Sequence, residues 1–143
     1  MPSPAQAARI FTLPGIAYFA LVFTLGFLLG TLRTLLSHDA PSVGRLAGVL
    51  IELPIMLNAS WFLSRYVIRR FAVASTVVAR AGMGGLAFAL LLLAELLVGA
   101  LLFGRTPAEH VALYADASYA LGLASQMGFA LMPLLQMTQD KQP

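Results

Sequence analysis

Residues 83–103 read MGGLAFALLLLAELLVGALLF, and this stretch decides the fold of the chain. Glu95 is its single charged side chain. An α-helix needs about 20 predominantly apolar residues to cross the hydrocarbon core of a bilayer. The stretch has that length and that composition, so it predicts a transmembrane helix.

Three further stretches have the same apolar character, and they cover residues 10–36, 43–64 and 117–137. Of the 143 residues in the chain, 59% are hydrophobic and only 10% are charged, whereas soluble domains carry about 25% charged residues. A soluble domain of this size cannot bury so much apolar surface. The sequence therefore predicts one all-α domain over residues 1–143, a polytopic membrane protein with four transmembrane helices arranged as two hairpins.

Basic residues flank the apolar stretches and predict how the chain crosses the membrane. The densest group, Arg65, Arg69, Arg70 and Arg80, lies between the second and third stretches. Because loops rich in Lys and Arg stay in the cytoplasm, we expect this connection and both termini on the cytoplasmic side of a bacterial inner membrane. Residues 71–79 are expected to lie along the membrane surface, with the arginines at anionic headgroups. A docking site for a soluble partner is the alternative.

Several classes of function are excluded by composition. The net charge of +3 does not indicate nucleic-acid binding, because no basic stripe interleaved with aromatic residues is present. The absence of cysteine excludes disulfides, thiolate-bound zinc and thiol nucleophiles. The serines lack the context of a catalytic triad, and His38 and His110 have no third ligand at a convincing spacing. We therefore expect a protein that is not an enzyme and that holds no cofactor or metal.

Two motifs occur twice and indicate an internal repeat. The motif GxxxFAL occupies residues 15–21 and again 84–90, and the motif RTxxxH occupies residues 33–38 and again 105–110. The second motif aligns the two histidines of the chain. Since the first and third spans run in the same direction, the pattern predicts a parallel duplication of one hairpin, with halves at residues 1–72 and 73–143.

Glycines recur on single faces of the predicted helices. Small residues at four-residue spacing let membrane helices approach one another closely. The sequence therefore predicts helix packing at six glycines, which are Gly26, Gly30, Gly44, Gly48, Gly99 and Gly122.

Glu52 and Glu95 are the acidic residues inside the predicted spans. An acid at the centre of a bilayer costs about 2.5–3.5 kcal/mol even on the lenient insertion scale, so each needs a partner or a proton. A structural interpretation pairs Glu52 with Arg33 or Arg45, and Glu95 with Arg105 or Gln126. A functional interpretation makes one or both carboxyl groups proton-exchanging or cation-binding. The candidate intramembrane polar cluster comprises Glu52, Glu95, Arg33, Arg45, Arg105 and Gln126.

The motif GxxxGxxxExPxML at residues 44–57, followed by Ser60-Trp61 and by Arg69-Arg70-Phe71, resembles small four-span hypothetical inner-membrane proteins of proteobacteria. The resemblance covers about half of the chain and implies a bacterial membrane protein without implying an activity. The chain is also similar to small multidrug-resistance transporters in size, span number and membrane acid. Those transporters carry their essential glutamate in the first span, however, and the first span of this chain has none.

The sequence favours a non-enzymatic packing or accessory component of a membrane assembly, either a homo-oligomer or part of a larger complex. Short loops and faces of small residues leave little room for a separate soluble site. The alternative is a minimal proton-coupled or small-solute transporter that uses Glu52 and Glu95.

Overall fold

A computed structural model describes residues 4–36 and 43–139, without the side chains of residues 4, 5, 7, 8 and 43–45. The described residues form helices and turns and contain no strand. Four of the helices are long and apolar enough to cross a membrane, so the predicted all-α fold with four candidate spans is confirmed. The α-helices are α1 (Pro4–Leu36), α2 (Val43–Arg70), α3 (Val77–Phe103), α4 (Pro107–Ala112) and α5 (Ala117–Leu135), with 3-10 turns at Leu113–Ala115 and Gln136–Thr138.

The connection between α2 and α3 is shorter than the sequence predicts. Helix α2 continues to Arg70 and α3 begins at Val77, which leaves residues 71–76 between them. Val73 and Ala79 are only 6% and 2% exposed and belong to the core. Val73 and Ala79 therefore close one end of the bundle, whereas the other seven side chains of residues 71–79 are exposed, and their location at the membrane surface stays a prediction.

Local capping chemistry fixes where the later helices begin and end. The Thr76 side chain accepts a hydrogen bond from the first turn of α3. Helix α3 ends before Gly104, whose left-handed φ of 64° turns the next N–H, that of Arg105, back to the Gly99 carbonyl at 3.1 Å. Glycine adopts that conformation without steric cost. Helix α5 begins after Asp116, whose carboxylate accepts the Ser118 N–H at 2.9 Å. The connection from α3 to α5 is therefore built from side-chain caps and one glycine turn.

The four long helices follow one another around the bundle in the order α1, α2, α5, α3. Helix α1 packs against α2 and α3, and α5 packs against the same two helices. The first helices of the two hairpins are consequently neighbours, and so are the second helices. The short helix α4 packs on α3.

The buried core is narrow and the outer surface is apolar. Tyr18, Val67, Met83 and Ala87 are completely buried, yet no more than 17% of the most apolar window of any long helix is buried, and only 6% in α2. Contiguous apolar surface on this scale is typical of a membrane-facing protein and would make a soluble protein aggregate. The distribution of burial therefore fits lipid as the surrounding solvent.

Tyr18 ties α1 to the far side of the bundle. Pro133, inside α5, has no N–H to give to the carbonyl four residues earlier, and that carbonyl belongs to Phe129. The Tyr18 hydroxyl donates to the Phe129 carbonyl oxygen at 2.9 Å, with the Ser60 carbonyl oxygen of α2 at 3.3 Å. A side chain of α1 thus satisfies a backbone group that α5 cannot satisfy by itself.

The closest approach between helices falls at Gly84, in the second copy of the GxxxFAL motif. A Cβ at this position would overlap the backbone carbonyl of Ala130 in α5. Gly15, its counterpart in the first copy, lies against the Leu86 side chain, which would be 3.0 Å from an added Cβ. Gly15 therefore faces α3 of the other half, whereas Gly84 faces α5 of its own half, at a closer distance.

The six glycines predicted to pack helices have different surroundings. Gly30 and Gly122 have no neighbouring atom of the described residues within 4 Å of an added Cβ, so they contact no described helix of this chain, and their packing against another copy or subunit stays a prediction. Gly26 meets only the end of the Met56 side chain at 3.3 Å, and the surroundings of Gly44 lie outside the described residues. Gly48 lies against the Arg33 side chain and Gly99 against the His110 side chain, so both glycines make room for polar side chains instead of helix backbones.

Candidate functional site

An ion pair joins α1 to α2. Arg33, in the last turn of α1, donates from Nη1 to Oε2 of Glu52 at 2.9 Å, and the two side chains are 28% and 21% exposed. Glu52 is nine residues from the start of α2, which places it about 14 Å along the helix. The arginine therefore reaches back along the bundle to a carboxylate well inside the apolar segment.

Gly48 makes this reach geometrically feasible. It lies one turn before Glu52 on the same face of α2, and an added Cβ there would be 2.5 Å from Cδ of Arg33. The aliphatic part of the arginine side chain lies across the glycine and its guanidinium group continues to the carboxylate. Gly48 thus works as a groove for Arg33, because any larger side chain would displace the arginine.

A second polar pair joins α3 to α5. Gln126 donates from Nε2 to Oε1 of Glu95. The other amide atom, Oε1 of Gln126, is buried and accepts no hydrogen bond from the described residues. Glu95 lies eight residues before the end of α3, or about 12 Å along the helix, so its depth resembles that of Glu52.

Helix α4 folds back onto α3 because of a capping box. The Thr106 side chain accepts the Glu109 N–H, the Glu109 carboxylate accepts the Thr106 N–H, and Pro107 occupies the first turn. Because these hydrogen bonds from Thr106 stabilise the ionised carboxylate more than the protonated acid, they lower the pKa of Glu109. The box starts a helix whose fourth residue, His110, points at α3.

His110 lies over Gly99 of α3. Its Nδ1 would be 2.8 Å from an added Cβ at Gly99, and this nitrogen is buried without a hydrogen-bond partner among the described residues. The Tyr114 ring meets the imidazole edge to face, with centroids 5.9 Å apart. Gly99 is one turn from Glu95, so the histidine and the carboxyl group share the same end of α3.

Tyr114 connects the histidine to the carboxyl group. Partial burial raises the pKa of the Tyr114 phenol, and the negative charge of nearby Glu95 raises it further. Four side chains from four elements therefore lie at one end of the second hairpin. We call Glu95, Gln126, His110 and Tyr114 the Glu95 cluster.

The structure separates the predicted polar cluster into two pairs. The pairs Arg33–Glu52 and Glu95–Gln126 are two of the four alternatives that the sequence leaves open. Arg105 does not pair with Glu95; its guanidinium carbon lies 4.6 Å above the Phe103 ring, because the turn at Gly104 directs it along the end of α3. The prediction of Arg105 as a partner of Glu95 is therefore wrong.

Some predicted positions lie outside the described residues. These include the Arg45 side chain, the surroundings of Gly44, and His38. Sequence reasoning also missed Tyr114 as a member of a polar site. The signal that could have found it is the Thr106-x-x-Glu109 pattern after Gly104, since this capping box predicts a short helix that carries His110 and Tyr114 on one side.

The Glu95 cluster and the Arg33–Glu52 pair differ in the chemistry they permit. An arginine–glutamate pair is charge-neutral and already satisfied, so it holds two helices in register. In the Glu95 cluster, the amide of Gln126 can donate to Glu95 as it does here, or turn over and accept from a protonated carboxyl group. In the described part of the chain, no group of three His, Cys, Asp or Glu side chains could hold a metal ion.

Comparisons with protein families, with characterised proteins and with solved structures find no match for this chain.

Proposed function

We propose that this chain is a polytopic protein of a bacterial inner membrane that serves as a non-catalytic packing component of a membrane assembly, with its arginine-rich end in the cytoplasm. In this proposal α2 is the helix that contacts the neighbouring subunit. The distribution of Lys and Arg supports the orientation. The surface of α2 supports the assembly role.

Helix α2 is the least covered of the long helices. Only 6% of its most apolar window is buried, compared with 17% in each of the other three. Its exposed face carries large apolar side chains at intervals along the whole helix, namely Leu46, Leu50, Ile51, Ile55, Phe62 and Tyr66. Such a face suits either lipid or a second helix, and apolarity alone does not distinguish them.

Asn58 is the observation that favours a second helix. It is the middle residue of the apolar segment Leu46–Arg70, and its side chain is exposed on the bundle surface. Nδ2 donates to the Pro54 carbonyl of the same helix at 2.7 Å, while Oδ1 has no donor among the described residues. Since a polar amide in hydrocarbon lacks water as a partner, asparagines at such positions form hydrogen bonds between helices.

The two intramembrane carboxyl groups support the same interpretation. Glu52 is held by Arg33 and Glu95 by Gln126, in each case from the neighbouring helix. Polar groups that are paired across helices fix register and orientation in a membrane bundle. The bundle therefore resembles a rigid unit whose two acids are paired between its own helices, while the Asn58 amide stays exposed on α2.

The test is the self-association of the full-length chain in lipid bilayers, measured by energy transfer between labelled copies. Asn58→Leu should weaken association about threefold to twentyfold, because an interhelical hydrogen bond contributes about 0.6–1.7 kcal/mol in membranes. Thr24→Val is the matched control, since it removes an exposed polar group from the middle of α1. Equal association of the two variants and the unmodified chain would refute the proposed role of α2.

A second candidate function, a minimal proton-coupled or small-solute carrier, is favoured by the Glu95 cluster. Two of its buried polar atoms, Oε1 of Gln126 and Nδ1 of His110, have no hydrogen-bond partner among the described residues. They lie near an acid and leave hydrogen-bonding capacity for a proton or a small cation. Proton flux into proteoliposomes tests this candidate. Glu95→Gln should abolish flux and Glu109→Gln should preserve it; flux that is equal in both variants excludes the carrier.

A further inference from the structure

A cleft rich in arginine lies at the opposite end of the bundle from the Glu95 cluster. It forms where α2 ends, where α3 begins and where the 3-10 turn follows α5. We call it the arginine cleft, and its lining residues are Arg65, Ile68, Arg69, Arg80, Gln136 and Gln139.

We propose that the arginine cleft binds the phosphate group of an anionic phospholipid. Three guanidinium groups from two helices face this one space, and the described residues that line it include no carboxylate. Asp140 and Lys141, which follow Gln139 in the sequence, lie outside the described residues. Guanidinium groups match phosphate oxygens in a planar, bidentate geometry, so a phosphate is the ligand that this set of donors suits best.

The floor of the cleft is held rigidly by buried side chains. Gln136 is 4% exposed; it donates to the Trp61 carbonyl at 2.7 Å and accepts from the Ser64 hydroxyl at 3.1 Å. Arg80 is 3% exposed and donates from Nε to the Ala74 carbonyl at 3.1 Å. These bonds position one arginine at the base of the cleft and leave little to reorganise when an anion arrives.

The rim of the cleft is accessible. Arg65 and Arg69 are exposed on the last two turns of α2, and Nη1 of Arg65 donates to Oε1 of Gln139 at 3.3 Å across the cleft. A ligand at this rim would therefore contact arginines that can move, above an arginine that is fixed. The exposed arginines can therefore make the first contact with an anion, and the fixed Arg80 defines where the anion binds.

The depth of the cleft favours a lipid over a free phosphate ion. The apolar segments that surround it end at Arg70, begin at Val77 and end at Thr138, so the cleft lies at the level where the hydrocarbon gives way to headgroups. Basic pockets between helices at this level bind anionic headgroups. The distribution of basic residues predicts this end to be cytoplasmic, on the side where anionic lipids make the membrane surface negative.

Trp61 provides a built-in reporter for the experiment. It is the only tryptophan of the chain, and its carbonyl is bonded to Gln136 in the floor of the cleft. The full-length protein is reconstituted in phosphatidylcholine bilayers that contain either brominated phosphatidylglycerol or brominated phosphatidylcholine. Quenching of Trp61 fluorescence then gives the relative association constant of the two lipids at this site.

We expect the anionic lipid to quench more effectively than the zwitterionic lipid. Arg69→Gln should lower the relative association constant about tenfold or more, since it removes charge-assisted hydrogen bonds to the bound phosphate in addition to a surface charge, and Arg65→Gln should act in the same direction. Arg70→Gln is the matched control, because Arg70 is the neighbouring exposed arginine and lies against the Phe71 ring instead of lining the cleft. It should change the constant about fivefold or less, since it removes only a surface charge.

Three outcomes would overturn the proposal. Equal effects of Arg69→Gln and Arg70→Gln would mean a diffuse surface charge instead of a site. Displacement of the brominated lipid by inorganic phosphate at matched ionic strength would assign the cleft to a soluble phosphate. If the unmodified protein shows no preference for the anionic lipid, the lipid site is excluded and a docking site for a soluble partner is favoured.

Discussion

The two hairpins solve the same problem, a carboxyl group deep in an apolar helix, in different ways. In the first, Glu52 sits on the second helix and receives a charged partner, Arg33, from the end of the first. In the second, Glu95 sits on the first helix and receives a neutral partner, Gln126, from the second. The first hairpin therefore contains a closed ion pair, whereas the second contains an acid beside hydrogen-bonding groups that are not all satisfied.

This difference indicates that the Arg33–Glu52 pair fixes the register of two helices, whereas the site around Glu95 can bind or release a proton. An ion pair that loses one member leaves an uncompensated charge, so it tolerates little change. A carboxyl group bonded to an amide can gain or lose a proton while the amide turns over to match. If the protein has an activity beyond packing, the second hairpin is where we expect it.

The largest expected effect compares the two glycines of the repeated GxxxFAL motif. Gly84→Ala should destabilise the protein by about 3 kcal/mol, because the new methyl group meets the fixed backbone carbonyl of Ala130. Gly15→Ala should cost about 1 kcal/mol, since its nearest neighbours, Cδ2 of Leu86 at 3.0 Å and the Met83 carbonyl oxygen at 3.2 Å, need to give by only a few tenths of an ångström. Unfolding in mixed micelles measures both, and equal costs would contradict the close approach of α3 and α5.

The next effect tests the ion pair of the first hairpin with a double-mutant cycle. Arg33→Ala should destabilise the unmodified chain by about 2 kcal/mol more than it destabilises the Glu52→Gln variant, a value below that of fully buried pairs because both side chains are partly exposed. Gly48→Leu should imitate Arg33→Ala, because it fills the groove that the arginine occupies. Additive effects of Arg33→Ala and Glu52→Gln would refute the coupling.

The same cycle in the second hairpin should give a smaller coupling. Gln126→Leu removes the hydrogen bond to Glu95, but it also removes a buried acceptor that has no partner. We expect a coupling energy with Glu95→Gln of about 0.6 kcal/mol, the average for interhelical hydrogen bonds in membranes. A coupling as large as that of Arg33 and Glu52 would mean that the two hairpins do not differ as described.

The smallest effect is a pH dependence confined to α4. The folded protein lowers the pKa of Glu109, so the capping box should be fully formed above the ordinary glutamate pKa of about 4.3 and should weaken as the pH falls through the lowered value. Amide exchange of residues 109–112 should therefore accelerate in acid while that of α3 stays slow. Glu109→Gln should remove most of this pH dependence; an unchanged acid response would assign it to another group.

Much of the fold could be predicted from the sequence because one physical requirement dominates it. Residues 83–103 and the three similar stretches are too apolar to be buried in a soluble domain of this size, so they require lipid as solvent. Because a segment that crosses lipid must satisfy its backbone hydrogen bonds internally, each stretch forms a helix. The ends of the helices were harder to predict, since Val73 and Ala79 look like surface residues until the packing at the end of the bundle is known. Hydropathy cannot report which neighbour covers a residue.

The site could be predicted only as alternatives. Glu52 and Glu95 stand out as acids in apolar helices, but the choice between Arg33 and Arg45, or between Arg105 and Gln126, depends on the turn at Gly104 and on the groove at Gly48. Gly30 and Gly122 are also ambiguous in the sequence. A glycine at helical spacing gives the same pattern whether a neighbouring helix lies against it or not. The partners of these acids and the surroundings of these glycines depend on residues that are distant in the sequence but close in the fold.

The proline in α5 has a consequence for how the protein is made. Helix α5 has the lowest mean hydropathy of the candidate spans, 1.3 compared with 2.6 for α3, and the carbonyl of Phe129 lacks a donor of its own helix. A nascent α5 that left the insertion machinery alone would expose that carbonyl to hydrocarbon. Because α1 precedes α5 in the chain, Tyr18 is synthesised before α5 and is available to that carbonyl when α5 emerges. We therefore expect the insertion of α5 to depend on α1.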